Sequence, residues 1–338
     1  MINPDGIILS ISGQSLTKEE KSFFKETNPL GFVLFKRNFK DVIQLRDLIN
    51  QLKNITLNIN PLIFVDQEGG RVQRFNNKEF TKFPPQSIFG IIFKESKSKA
   101  KRLSYFTSYL VGWELKKIGI DVNFSPVCDL LFRHAHEIIG DRSFSDNPEI
   151  VDCLVKNYCK GLRDSGIIPV LKHYPGHGRS KTDTHENISE VDTDLNILKK
   201  TDLIPFTSLK NESLVMLAHI FYTKIDNKIA TYSKKINSLL RSYHKFNGLI
   251  LTDDIAMKGL QGKLEQIVIN SYNAGCDVIL HCNGKINEMK KIYPLVLPIR
   301  KKYYQNFSND IIKLEQKNFD IENIKEKLLK EDVIKLCN

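Results

Sequence analysis

Residues 167–185 read IIPVLKHYPGHGRSKTDTH. The first six, Ile167 to Lys172, form an apolar run of strand length, and the chain turns polar where that run ends. A strand buried on both faces reads as a nearly continuous apolar stretch, as parallel strands under helices do. Behind it come three histidines, two lysines counting Lys172, an arginine and an aspartate, with Pro175, Gly176 and Gly178 between them suiting a tight turn.

The pattern repeats along the chain. Gly6 to Ser12, Gly31 to Phe35, Pro61 to Val65, Asp121 to Ser125, Ser213 to His219, Gly248 to Thr252 and Asp277 to His281 are similar runs, making eight strand candidates. Amphipathic stretches separate them: Lys40 to Leu52, Lys99 to Lys117, Pro148 to Arg163, Thr201 to Leu209, Lys234 to Tyr243 and Gly262 to Asn273. Thr17 to Glu20 has the form of a capping box, and Gly119, Gly166, Gly248 and Gly275 stand where helix C-caps belong. Repeated βα units predict an α/β fold, a single (β/α)8 TIM-barrel-like domain over residues 1–338, with a barrel core at 1–285 and C-terminal helices at 286–338 packed outside it. A doubly wound open sheet is the alternative, but no G-x-G-x-x-G follows the first strand and no Walker A loop is present.

Polar residues close most of the runs: Arg37 and Asn38, Asp66, Asp129, His173, His219, Asp253 and Asn283. In a (β/α)8 barrel the active site forms at that C-terminal face. Two long connections, Glu68 to Ser96 and Tyr174 to Leu195, are read as functional loops.

Composition narrows the class. With 338 residues, 41% hydrophobic and 26% charged, the chain reads as globular. The apolar N-terminal stretch GIILSIS lacks the flanks of a signal peptide, and no apolar run nears the roughly 18 residues of a membrane span. The six cysteines show no C-x-x-C spacing and read as reduced thiols of a cytoplasmic protein. The net charge of +11 comes from lysines spread over helical stretches, so neither nucleic acid nor a membrane is expected as partner.

Asp253, at the end of the run in LTDDIAM (251–257), is a candidate nucleophile if cationic groups keep it ionised; equally, it or Asp254 could cap a helix or bind a lysine. Asp254 points to the opposite face if the strand continues. Asp183 and His185 are two apart on a loop, and a carboxylate beside an imidazole suits a general acid and base, though such a pair also occurs as surface decoration. His173, His177 and His185 fall within thirteen residues, which would suit a metal site, but neither HExxH nor a two-histidine helical spacing is present.

KHYPGHG followed by DTH, together with DQEGGRVQRF (66–75), NFSPVCDL (123–130), IGDRSFSDNP (139–148) and LTDDIAM, closely resembles the single-domain bacterial β-N-acetylhexosaminidases of glycoside hydrolase family 3. The likeness runs from GFVLFKRNF (31–39) to AGCDVILHCN (274–283). It implies a (β/α)8-like barrel, retention of configuration and no cofactor or metal. The implied substrate is a small molecule, terminal GlcNAc on 1,6-anhydro-N-acetylmuramic acid with or without a stem peptide, cleaved in the cytoplasm by a monomer during peptidoglycan recycling. The family's nucleophile falls on Asp253 and its acid/base on His185, oriented by Asp183. Its sugar-binding positions fall on Asp66, Arg74, Arg142, Lys172 and His173. A histidine as acid/base departs from the usual carboxylic acid, and a neutral histidine does not repel an anionic acceptor, so a phosphorylase on the same site is one alternative reading. A catalytically silent sugar-binding barrel is another. Gly176 and Gly178 are the expected pivots of a loop that swings His185 over the sugar.

Overall fold

The computed structural model describes residues 3–56, 60–132, 137–180 and 189–334. Each of the apolar runs becomes a strand: β1 (Asp5–Ser10), β2 (Pro29–Leu34), β3 (Leu62–Val65), β4 (Val122–Asn123), β5, β6 (Leu214–Leu217), β7 (Leu249–Asp254) and β8 (Val278–Leu280). β5 comes in two pieces, Ile168–Pro169 and Leu171–Tyr174. Pro169 has no N–H to donate to a ladder, and the run breaks just after it. The first piece pairs with β4 and the second with β6, while β8 pairs back onto β1. All these pairs are parallel and follow chain order around the ring, which makes the sheet a (β/α)8-like barrel.

Side chains alternate across each strand, and the barrel separates two apolar clusters accordingly. Ile8, Phe64, Val122, Ile168, Val170, Leu214, Met216, Leu249, Leu251, Val278 and Leu280 fill the interior. Their neighbours Ile7, Leu9, Ile63, Val65, Val215, Leu217, Ile250 and Ile279 face outward into the layer beneath the helices.

The helices are α1 (Lys18–Lys25), α2 (Val42–Lys53), α3 (Ser87–Glu95), α4 (Lys97–Ile118), α5 (Pro148–Asp164), α6 (Leu195–Lys200), α7 (Lys234–Ser242), α8 (Leu264–Ala274), α9 (Ile286–Ile292), α10 (Lys301–Ile312) and α11 (Ile321–Lys330). The capping box forms at α1: Glu20 N–H donates to Thr17 Oγ1 at 3.0 Å and Thr17 N–H to Glu20 Oε2 at 2.8 Å. Three expectations need correction. The stretch expected as a helix from Thr201 to Leu209 is a 3₁₀ segment, Ile204–Asn211, with Pro205 at its start, where a ring without N–H cannot continue an α ladder. The connection from Glu68 to Ser96, expected as a loop, contains a hairpin (Gln67–Gly69 with Val72–Gln73) and α3. Gly248 caps no helix, since α7 ends at Ser242; a Cβ there would stand 2.2 Å from Ser213 O, so glycine permits the close approach of two strands.

The C-terminal helices do more than pack outside. Ile299 and Phe307 join the interior cluster, so α10 closes the N-terminal end of the barrel. At that end Asp277 is fully buried and accepts from Arg241 Nη2 at 2.5 Å, Arg300 Nε at 2.9 Å and the Ile250 N–H at 2.9 Å. Among the described residues no helix is long and apolar enough to cross a membrane.

Removing one partner of a buried ion pair strands the other charge. Asp277→Ala is therefore expected to cost about 3–5 kcal/mol of unfolding free energy, measured by urea denaturation. A loss below about 1 kcal/mol, the scale of an exposed pair, would show that these arginines do not depend on it.

Candidate active site

The interior alternation continues past the barrel's apolar layers and aims polar side chains into its mouth. Phe64 is followed two residues on by Asp66, Val170 by Lys172, Leu251 by Asp253 and Leu280 by Cys282. These four line a cavity of about 750 Å³ at the C-terminal face, with Arg37, Glu68, Arg71, Arg74, Arg142, His173 and His177.

Its floor is an ion-pair network centred on Lys172, whose side chain is 3% exposed. The ammonium donates to Asp66 Oδ1 at 2.8 Å and stands 2.6 Å from Glu68 Oε1. Arg142 grips Glu68 with two bonds, Nε to Oε2 at 2.9 Å and Nη2 to Oε1 at 2.8 Å. Arg74 Nη2 donates to Asp66 Oδ2 at 3.0 Å. Burial alone would raise the pKa of both carboxyls, but the paired cations outweigh it. Lys172 and Arg74 hold Asp66 well below the usual carboxylate range, and Arg142 and Lys172 bring Glu68 down to about 2. Arg142 and Lys172 are held protonated in turn.

Beneath His173 lies Asp129, fully buried. Its Oδ2 meets His173 Nδ1 at 2.7 Å, and its Oδ1 accepts the backbone N–H groups of His177 at 2.7 Å and His173 at 3.2 Å. Burial, with help from nearby His173, lowers His177 to about 4, so it is neutral at pH 7. The segment after β5 is firmly held. Gly176 sits at φ 128° with its carbonyl accepting from Tyr222 OH at 2.8 Å, and a Cβ on Gly178 would lie 1.8 Å from Leu130 O. The two glycines expected as pivots are thus the fixed corners of a packed turn.

Asp253 and Asp254 both border the cavity, and their carboxylates are held differently. Asp254 Oδ1 accepts the N–H groups of Cys282 at 3.0 Å and Ala256 at 3.1 Å, and the Asp254 N–H donates to Asp253 Oδ1 at 2.8 Å. Asp253 stands at the cavity wall with the floor residues. Asp66, Arg74, Arg142, Lys172, His173 and Asp253, all expected from the sequence, are therefore brought to one cavity; Asp183 and His185 lie outside the described residues. Glu68 and the role of Asp129 escaped the sequence reading. Glu68, two residues after Asp66 in DQEGG, was legible as a second acid near Lys172 and Arg142, but only the hairpin turns it inward. No cluster of His, Cys, Asp or Glu suited to a metal ion occurs among the described residues.

Residues 6–301 match the glycosyl hydrolase family 3 N-terminal domain. A beta-hexosaminidase of Methylobacillus flagellatus is 36% identical over 284 residues, 82% of this chain and 80% of the relative. One of Idiomarina loihiensis is 35% identical over 284 residues, 82% and 84% of the two chains. The crystal structure of NagZ from Neisseria gonorrhoeae in complex with N-trifluoroacetyl-D-glucosamine superposes with a TM-score of 0.85 at 31% identity, covering 97% of this chain and 94% of that one.

A carboxylate whose folded-state pKa is depressed contributes stability above its unfolded pKa and loses it as pH falls through the folded one. For Glu68 that window runs from about 4.5 down to about 2. Unfolding free energy is expected to fall more steeply across it in the wild type than in Glu68→Gln, by denaturant titration at each pH. At pH 7 Glu68→Ala is expected to lose about 3–5 kcal/mol, since Arg142 and Lys172 are left short of a partner.

Proposed function

Because the chain belongs to glycoside hydrolase family 3 and is a β-N-acetylhexosaminidase of the NagZ type, we propose that it releases terminal GlcNAc from 1,6-anhydro-N-acetylmuramic acid, with or without a stem peptide, in cytoplasmic peptidoglycan recycling. The observation that carries the reading is the position of Asp253, third inward residue of β7 after Leu249 and Leu251, in the same cavity as Asp66, Arg74, Arg142 and Lys172. A volume of about 750 Å³ suits a ligand of one or two sugar rings.

In this proposal Asp66 accepts hydrogen bonds from sugar hydroxyls, while Arg74, Arg142, Lys172 and His173 donate to hydroxyl and acetamido oxygens. The cations also favour a charged carboxylate at Asp253. Asp253 attacks the anomeric carbon through an oxocarbenium-like transition state as the glycosidic C–O bond breaks, and His185 gives its proton to the departing oxygen. Neutral His185, oriented by Asp183, then takes a proton from water as that water displaces the aspartate, restoring the original configuration.

Chromogenic β-GlcNAc hydrolysis by the wild type, Asp253→Asn and His185→Ala tests the assignment. Asp253→Asn is expected to lose about a thousandfold or more in kcat. His185→Ala is expected to lose about a hundredfold or more with a poor leaving group, and much less with a dinitrophenyl one that needs no protonation. Wild-type turnover in Asp253→Asn would remove it as nucleophile, and a sugar 1-phosphate formed in phosphate buffer would replace hydrolysis with phosphorolysis.

A further inference from the structure

We propose that Asp254 and His219 are positioning residues for the nucleophile: together they fix the residue, Asp254, whose backbone N–H holds the Asp253 carboxylate. The inference rests on the reading of Asp253 as nucleophile. It goes beyond that reading by giving the neighbouring acid a defined task.

Both main-chain groups of Asp254 are engaged. Its N–H donates to Asp253 Oδ1 at 2.8 Å, which restrains rotation of that carboxylate. Its carbonyl lies 3.1 Å from His219 Nε2. A carbonyl only accepts, so Nε2 carries the proton. Nδ1 is then the acceptor for the Thr231 hydroxyl, 2.6 Å away. His219 is 1% exposed, and burial lowers its affinity for a second proton, which suits this neutral tautomer. Both ring nitrogens are thereby committed to holding neighbours.

The side chain of Asp254 completes the clamp. Its Oδ1 accepts from Cys282 N–H at the end of β8 and from Ala256 N–H in the turn after β7, at 3.0 and 3.1 Å. The Cys282 carbonyl is held in turn by Arg37 Nη2 at 2.5 Å, and Arg37 also binds Ser10 Oγ at 2.6 Å and Ile11 O at 3.0 Å. One residue, Asp254, is therefore tied to the segments that follow β6 and β8, and through Arg37 to the end of β1. A carboxylate that must meet an anomeric carbon in line gains from such support, because small misplacements of reacting atoms are costly.

The bonds that the Asp254 side chain accepts from Cys282 and Ala256 fall on Oδ1, and an amide oxygen can accept them as well. Positioning therefore predicts that charge is dispensable and the acceptor is not. The experiment is steady-state hydrolysis of an aryl β-GlcNAc by Asp253→Asn, Asp254→Asn, Asp254→Ala, His219→Gln and His219→Ala, with melting temperature and GlcNAc affinity measured on each. Asp254→Ala is expected to lose about tenfold to a hundredfold in kcat with KM within about twofold of wild type, while Asp254→Asn stays within about threefold. His219→Ala is expected to behave like Asp254→Ala, and His219→Gln, whose amide can still donate to the carbonyl, to recover most of the loss. In an Asp253→Asn background, Asp254→Ala should add no further loss.

Wild-type kcat in folded Asp254→Ala would overturn the proposal. If Asp254→Ala does not fold, the His219 pair decides: unchanged kcat in His219→Ala, or no recovery in His219→Gln, overturns it. Inactive Asp254→Asn beside active Asp253→Asn would sink the nucleophile reading instead, by exchanging the two aspartates. Inactive Asp253→Asn with a fully active Asp254→Ala leaves that reading intact and removes only the positioning role.

Discussion

A lysine ammonium buried in the floor of the barrel mouth is the constraint around which the site is built. Removing Lys172 from water is expensive unless it is paired, and its two carboxylate partners, Asp66 and Glu68, come from β3 and from the hairpin that follows it. Glu68 then captures Arg142 from the segment before α5, and Asp66 captures Arg74 from the strand that closes the hairpin. Five side chains are locked by electrostatics rather than by apolar packing. Three cations face two carboxylates, so the network carries an excess positive charge in the cavity that also contains Asp253.

The second organising fact is the two-residue period of the strands. Inside the barrel, packing makes the inward positions apolar. One step beyond the last packed layer the same positions become Asp66, Lys172, Asp253 and Cys282. The scaffold and the site are therefore one pattern read at two depths, and neighbouring acids acquire different work from parity alone. Asp253 continues the inward series after Leu249 and Leu251, while Asp254 turns its Oδ1 to backbone N–H groups at the end of β8.

Most of the barrel was legible because a strand buried on both faces leaves a compact apolar run, and each of the eight candidates became a strand. What the runs do not encode is how a strand is interrupted: Ile167 to Lys172 reads as one segment, yet Pro169 divides its pairing between β4 and β6. Pro205 had the parallel effect on the expected helix. The site was legible at strand ends and obscure where a turn redirects the chain. Glu68 required the hairpin, and Asp129 required the fold of 173–177 above it. Gly176 and Gly178 were read as turn formers, and the packing around them fits that reading. A sequence shows that glycine is needed, and only the packing against Tyr222 and Leu130 shows that the need is for close contact.

The fixed floor also bears on which group moves protons. Asp66 and Glu68, held below the usual carboxylate range, carry no proton to give near neutral pH. His177 is buried and held neutral at about 4, His219 has both nitrogens engaged, and His173 has its Nδ1 on Asp129. These histidines of the cavity and its wall are thus each held by buried neighbours. A glycosidase reaction still needs an acid beside the leaving oxygen. That requirement directs the proposed acid role to His185, in the connection after β5. In this proposal the barrel supplies the nucleophile and the connection after β5 supplies the proton.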